Sequence, residues 1–407
     1  MRHQGCSRRR RVAGDRGIAL LVALAIVAIL SVVVLDFSFS VRVNMHVAAN
    51  FRDRLIAMEA AKGGVYSAIY KLRQDAPQQD TLQDDWAQPW GIDLSKTDPE
   101  EYAEESGLTE EDLELDKHED FVGHRKGGNV PTARILVFDE ERKLNVNLLA
   151  AQATNPMYRQ WMENLIENLE FPGVDAYELV DNITDWIDTD DDGNAEYMYY
   201  ENLPEPYSCR NDLMESVYEL KLVKDVTDLV FFGDTPYPMQ LSGLEEEEWD
   251  RRASAGYSLP DTPPWETKED VGAIYGLSNF LTAHSTGQVN VNTAPREVLM
   301  AIMENYEFLA DTIIQAREED PTQTNQINQI IRDVSPALYD ILVSRARIAY
   351  RSSFFRVEST GTYHKAAVKA IAIVERNTAR DIIIHSWRVE DAAWESSSED
   401  VALLNVM

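Results

Sequence analysis

The segment from Ile18 to Leu35, IALLVALAIVAILSVVVL, is apolar at every position except Ser31. At ~1.5 Å per residue such a helix covers about 27 Å, enough to cross a hydrocarbon core. Arg8 to Arg11 and Arg16 precede it, and the next cation is Arg42. That asymmetry holds the N-terminus in the cytoplasm and sends the rest of the chain outward, as a single pass. A secretory signal would end in small residues at a cleavage site, whereas Phe37 and Phe39 occupy those positions here, so the segment is expected to be retained. No proline follows between Asp36 and Arg73, and Ala48, Leu55, Ile56, Met58, Ala60, Ala61, Val65, Ile69 and Leu72 recur at helical spacing. One helix therefore continues from the membrane into the next compartment.

Beyond the helix the chain is soluble in character and strongly acidic, with a formal net charge of -32 over 407 residues. Such a charge excludes broad phosphate-gripping surfaces and leaves no nucleic acid among the expected partners. Cys6 and Cys209 are the only cysteines, so no disulfide framework is expected. No P-loop, dinucleotide fingerprint or nucleophile constellation occurs, and His284 beside Ser285 has no assignable catalytic partner. No enzymatic activity is expected.

The leader DRG followed by IALLV resembles that of type IV prepilins and type II secretion pseudopilins. The resemblance implies cleavage by a membrane prepilin peptidase between Gly17 and Ile18, a methylated new N-terminus, and a helix that first anchors the precursor and then packs beside its equivalents in a filament. Family members usually carry glutamate fifth after the cut; here it is Val22. Among pseudopilins that absence is a trait of the largest minor one, the general secretion pathway protein K family, which caps the tip. The leader alone also admits a plain single-pass anchor with no cleavage.

Other segments extend the resemblance. TLQDDWAQPW is similar to the DSLDEPWA stretch that K subunits carry after the long helix. ARILVFDEERKLNVNLL alternates around Asp139 to Arg142 and is expected to form a β-hairpin. Helical periodicity then dominates until about Tyr350, in NPMYRQWMENLIENLE, VDAYELVDNITDWI, YELKLV and REVLMAIMENYEFLADTIIQARE. Strand patterns return around Gly361 and in DIIIHSWRVE. The expected fold is α+β and pilin-like: a long N-terminal transmembrane helix on a small antiparallel sheet, with a large mainly helical domain, partly helix-hairpin-helix-like, inserted between strands. In residues, the expectation is a leader over 1–17, the helix over 18–73, an acidic loop and first strands over 74–149, the inserted domain over 150–350, closing strands over 351–390 and a loose tail over 391–407. KLNVNLLAA and QVNVNTAP form a partial repeat, in which Asn147 and Asn292 are placed to cap helices.

The sharpest chemical signal is DWIDTDDDGNAEYMYY. Asp188, Asp190 and Asp192 before Gly193 reproduce the opening of an EF-hand calcium loop, and Glu196 falls at its ninth position. The twelfth is Tyr199 instead of glutamate, so this is not an EF-hand. Carboxylates this close repel one another unless a cation lies between them, and hard oxygen donors suit calcium better than zinc. The pattern resembles the LVDWID and GAEDDYY hallmark of the K family. By that resemblance, calcium would be held by Asp185, Asp188, Asp190, Asp192 and Glu196. An acidic, solvated loop is the alternative reading.

The resemblance implies a tip subunit of the type II secretion pseudopilus. Its partners would be the I- and J-type minor pseudopilins, the peptidase, the inner membrane and the exported proteins. Two rivals remain open on the sequence: a membrane-tethered helix-hairpin-helix DNA receptor of the competence type, and a metal-dependent surface enzyme. The turn of the helix-hairpin-helix-like segment has no glycine and adds Glu304 and Glu307, which would repel phosphate.

Overall fold

The computed structural model describes residues 15–75, 78–93, 130–151, 156–189, 193, 199–234, 274–304, 306–320, 324–377 and 381–391. Helix α1 (Asp15–Gln74) is continuous for 60 residues. Its first part is clad in exposed apolar side chains from Leu20 to Phe39. Among the described residues it is the one helix long and apolar enough to cross a membrane. Further on, one face becomes buried through Ala57, Ala61, Val65, Ala68 and Leu72, a spacing that keeps them on a single stripe.

That stripe packs on a five-stranded antiparallel sheet of order β1 (Trp90–Asp93), β2 (Thr132–Asp139), β7 (Phe354–Tyr363), β8 (Ala366–Arg376) and β9 (Ile382–Asp391). Alternation along β2 turns Ala133, Ile135 and Val137 toward the helix. Val357, Ala370, Ala372 and Val374 do the same from β7 and β8, and Trp86 closes the core against Phe355. Strands β2 and β7 pair residue by residue, with Val137 opposite Val357, although more than two hundred residues separate them. The intervening chain forms the second lobe.

Helix and sheet approach unusually closely at two glycines. A Cβ on Gly361 would lie 2.0 Å from the Ala57 carbonyl oxygen, and one on Gly64 would lie 2.1 Å from Ser359 Oγ. Gly361 thus lies within β7, where the helix backbone crosses, and not at a turn; the β7–β8 reversal falls at His364 and Lys365.

The expected hairpin at Asp139 to Arg142 is not formed. Strand β2 ends at Asp139, and the next short strand, β3 (Leu144–Asn145), pairs in parallel with β4 (Leu281–Thr282) inside the lobe. The reason is the fate of the acidic side chains: Asp139, Glu140 and Glu141 are all buried and bonded across the lobe junction, so the chain leaves the sheet here instead of reversing.

The lobe packs helices α2 (Pro156–Asn168), α3 (Ala176–Ile187), α4 (Asp228–Phe232), α5 (Arg296–Ile302), α6 (Glu307–Glu319) and α7 (Thr324–Val334). A second parallel pair, β5 (Val289–Asn290) with β6 (Ile348–Ala349), lies beside them. Trp161, Leu165, Ile183, Phe231, Phe280 and Leu299 are among its fully covered core side chains. YELKLV forms a 3-10 helix, opened by a Ser216–Glu219 capping box. In the VNVN repeat the capping expectation is corrected. The first asparagine of each copy makes the turn, as Asn145 Oδ1 accepts from Asn147 N–H and Asn290 Oδ1 from Asn292 N–H, both at 3.0 Å. Asn147 instead lies inside a 3-10 helix, and α5 starts only at Arg296, too far on for Asn292 to cap.

Gly63 has nothing within 4 Å of an added Cβ, whereas Gly361 is pressed on the helix backbone at Ala57 and Ala61. Gly63→Ala is therefore expected to stabilise the chain by about 1 kcal/mol through helix propensity. Gly361→Ala is expected to destabilise it by about 1–3 kcal/mol through overpacking. Thermal unfolding of the two variants checks this, and equal melting temperatures would contradict the close approach.

Candidate functional site

The acidic loop is launched by α3. Asp175 caps its start by accepting from Glu178 N–H, and Leu179, Val180, Ile183 and Ile187 bury one face. Asp181, Asp185 and Asp188 lie on the less buried side, and Asp188 is the C-cap residue, its N–H donating to Thr184 O. Beneath the loop, Trp186 meets Tyr200 edge-on at 5.4 Å and Tyr207 packs on both rings. The Tyr200 hydroxyl accepts from Lys224 N–H, and burial pushes its pKa up. This aromatic base fixes both ends of the loop.

Gly193 returns to the end of α3: a Cβ there would lie 2.3 Å from Asp185 Cγ and 2.4 Å from one of its carboxylate oxygens. Only a residue without a side chain fits against that carboxylate, so glycine serves close approach as well as turning. Asp185 and Gly193 are thereby brought together, with Asp188 at the C-cap of the same helix; Asp190, Asp192 and Glu196 lie outside the described residues. Among the described residues, Cys209 Sγ donates to Asp185 O at 3.2 Å.

A second acidic group went unrecognised in the sequence. Asp75, Asp80 and Asp84 bring carboxylate oxygens within 4.8 Å of one another. Their oxygens are already committed. Asp80, fully buried, takes both of its oxygens to Arg376 Nη2 at 2.6 Å and accepts Ser352 N–H at 2.7 Å. Arg376 Nη1 reaches Asp75, while Asp84 accepts from Thr81 and from Trp86 Nε1. Within this cluster Arg376 pairs with Asp75 and Asp80.

Around Asp80 a buried polar hub joins every part of the molecule. Asp139 Oδ2, at the end of β2, accepts from Thr293 Oγ1 at 2.5 Å, Ser352 Oγ at 2.6 Å and Asn290 Nδ2 at 3.2 Å. Glu141 accepts from Thr286 N–H in the lobe and from Ser353 N–H at the re-entry to the sheet. Asn290 donates onward to Ser352 Oγ and to the Asp80 carbonyl. The sequence signal was available: alternation along TARILVFD continues inward to Asp139, so a carboxylate was due in the core and needed partners.

The electrostatics differ on either side of that hub. Burial, with Glu141 and Asp80 nearby, pushes Asp139 up to about 7 against its hydrogen bonds, and burial also raises Asp80 and Glu141. Toward the sheet's outer face, burial likewise opposes ionisation of Glu140 and Glu358. There the cations win: Lys143 and Arg356 hold Glu140, and Arg356 and Lys369 hold Glu358, below the usual carboxylate range.

The helix-hairpin-helix-like pair α5–α6 is formed, but its cations are used internally. Arg317 is buried and donates to Val291 O and Ala294 O, and Arg296 pairs with Asp311. Glu304 and Glu307 stand at the turn, so the pair offers no phosphate site.

The family model for type II secretion system protein K matches residues 142–237, the part of the lobe that carries α2, α3 and the acidic loop. A curated relative, the putative type II secretion system protein K of Escherichia coli K12, is 24% identical over 247 residues, covering 57% of this chain and 64% of the relative. Over these residues the chain is similar to type II secretion system protein K. Protein K of Aeromonas hydrophila is 36% identical over 77 residues, 18% of this chain and 23% of that protein. The chain thus aligns with less than two thirds of the length of either curated relative. Among solved structures it is similar to a chain in the crystal structure of the GspK-GspI-GspJ complex from enterotoxigenic E. coli, with a TM-score of 0.52 and 13% identity, covering 85% of this chain and 99% of that one. The fold shared at that identity is the α+β pilin-like fold described above.

The hub sets a pH dependence. Asp139 moves from an ordinary 3.8 to about 7 in the folded chain, so the native state binds the additional proton. The stabilisation this gives is complete at the acid end of the window and is lost as pH rises through 7. The melting temperature is expected to fall by about 2–4 °C or more between pH 5 and 8, and Asp139→Asn to flatten that fall. An unchanged slope in the variant would contradict it.

Proposed function

We propose that this chain is a minor pseudopilin that sits at the distal tip of a type II secretion pseudopilus and takes part in protein export across the outer membrane. The observation that carries the reading is the placement of the lobe. It is inserted between β2 and β7 at one end of a helix-and-sheet module, while the apolar first half of α1 is left entirely exposed. An exposed rod can pack laterally with equivalent rods of partner subunits; a bulky lobe leaves no room for another subunit above it. I- and J-type minor pseudopilins are the proposed partners, a reading supported by the similar chain solved in complex with GspI and GspJ.

In this reading the leader ends at Gly17, a prepilin peptidase cuts before Ile18, and the new N-terminus is methylated. The helix then lies in the inner membrane as a single pass, with the bulk of the chain in the periplasm. Val22 in place of glutamate leaves the new amine of a neighbour without a carboxylate partner, which suits an end position over a repeated internal one. The protein acts by assembly and contact with exported proteins, not by catalysis.

Calcium belongs to the same proposal. Asp185 and Asp188 at the end of α3, with Asp190, Asp192 and Glu196 of the loop, would hold the ion. The fit of Gly193 against the Asp185 carboxylate supports a loop folded back over hard oxygen donors. When bound, the ion neutralises clustered carboxylates and stiffens the loop; the residues themselves only position oxygens.

The DNA-receptor reading is not favoured, because Arg317 of the helix-hairpin-helix-like pair is buried, Arg296 is paired with Asp311 and the turn is acidic. N-terminal sequencing of protein recovered from membranes is expected to start at Ile18; a start beyond Phe39 would overturn the reading. Calcium is expected to raise the melting temperature by about 2–4 °C or more. Asp188→Ala is expected to remove most of that rise, and an equal rise in the variant would remove the site.

A further inference from the structure

A pair of histidines faces across the seam between lobe and sheet, away from the acidic loop. His284 follows β4 in the lobe, and His385 lies in the edge strand β9; their ring centres are 6.1 Å apart with the planes tilted by 35°. His385 is aimed there by a β-bulge. Pairing runs from Ile373 opposite Ser386 to Val374 opposite Ile384, so His385 is the additional residue of β9. A bulge places two successive side chains on one face, and here it delivers His385 to the face that carries Glu375 and Arg388, whose guanidinium lies 4.6 Å over the lobe's Tyr218.

Each ring is oriented by an oxygen on the nitrogen remote from the pair's remaining donor. His284 Nε2 is 2.8 Å from the Glu215 carbonyl oxygen, and His385 Nε2 is 2.6 Å from Glu375 Oε2. A carbonyl and a carboxylate only accept, so both Nε2 atoms donate, and Nδ1 of each ring in its neutral form has a lone pair to offer. This is the arrangement by which proteins prepare histidine for a metal: one nitrogen donates to a backbone carbonyl or carboxylate, which fixes the tautomer and raises the basicity of the other. One ion held at about 2.0–2.1 Å by a nitrogen of each ring keeps the ring centres roughly 5–6 Å apart, close to the separation seen.

We propose that His284 and His385 bind one zinc-class divalent ion through their Nδ1 atoms, with water completing the shell, and that the ion ties the lobe to the edge strand of the sheet. Two imidazole nitrogens select zinc, copper or nickel over calcium, so this site and the oxygen-lined acidic loop discriminate between ions. The rings are partly exposed, with 34% of the His385 side chain accessible, which leaves an entry path.

The test is zinc titration of the full chain in detergent, saturated with calcium, followed by calorimetry. One zinc per chain is expected, weakened about tenfold or more in His284→Gln, in His385→Gln and, through lost orientation, in Glu375→Gln. The calcium-induced rise in melting temperature is expected to stay unchanged in all three. In the unmodified chain, zinc is expected to protect both histidines from carbethoxylation, mapped by mass spectrometry, a readout that needs no variant. Absence of saturable zinc binding, an affinity in either histidine variant equal to that of the unmodified chain, or no protection would overturn the proposal. Loss of binding in Cys209→Ser instead would place the zinc at the acidic loop and would also overturn it.

Discussion

The Asp139 carboxylate is the point on which the architecture depends. It stands where β2 ends, receives Ser352 from the strand that re-enters the sheet, and receives Asn290 and Thr293 from the lobe. Asp80, a few residues past α1, joins through Ser352 and is neutralised by Arg376 at the end of β8. Rod, sheet and lobe therefore share one buried set of hydrogen bonds. A buried polar set of this kind gives little net stability, since desolvation offsets much of its attraction. What it does give is a single arrangement: the carboxylates meet donors from sheet and lobe at once, and any other docking of the lobe would leave them buried without partners.

The two faces of the sheet solve different problems. Toward α1 the contact is apolar and small, with alanines and glycines letting backbones approach, and this is where burial of apolar area stabilises the fold. The outer face carries Glu140, Arg356, Glu358 and Lys369 in one ion-pair layer, with Lys143 reaching from Glu140 to the Ser278 carbonyl of the lobe. An apolar outer face would bind any greasy surface during folding, whereas matched charges accept one partner.

Much of this was legible because it rests on periodicity. The helical stripe of Ala57 to Leu72, the alternating strands around Gly361 and the helices at Pro156 and Ala176 follow from spacing alone. The misread positions have a common cause. Asp139 to Arg142 has the composition of a turn, and only the parity of the preceding strand shows that its first carboxylate points inward. Nothing local to Gly361 shows the helix backbone that crosses it. Asn147 and Asn292 sit where caps belong, but the residue two before each takes the turn first. All of these depend on contacts between segments far apart in the chain, which local pattern does not record. In the acidic loop, sequence named the carboxylates, while the structure added the reason for the glycine at Gly193.

The central claim is that rod and lobe move as one body because the hub admits one arrangement. Double electron–electron resonance between spin labels at Phe51→Cys on α1 and Tyr177→Cys on α3, with Cys6 and Cys209 replaced by serine, measures this directly. Both label positions are exposed. A single narrow distance distribution is the predicted result; a broad or bimodal one in the intact chain would contradict the account.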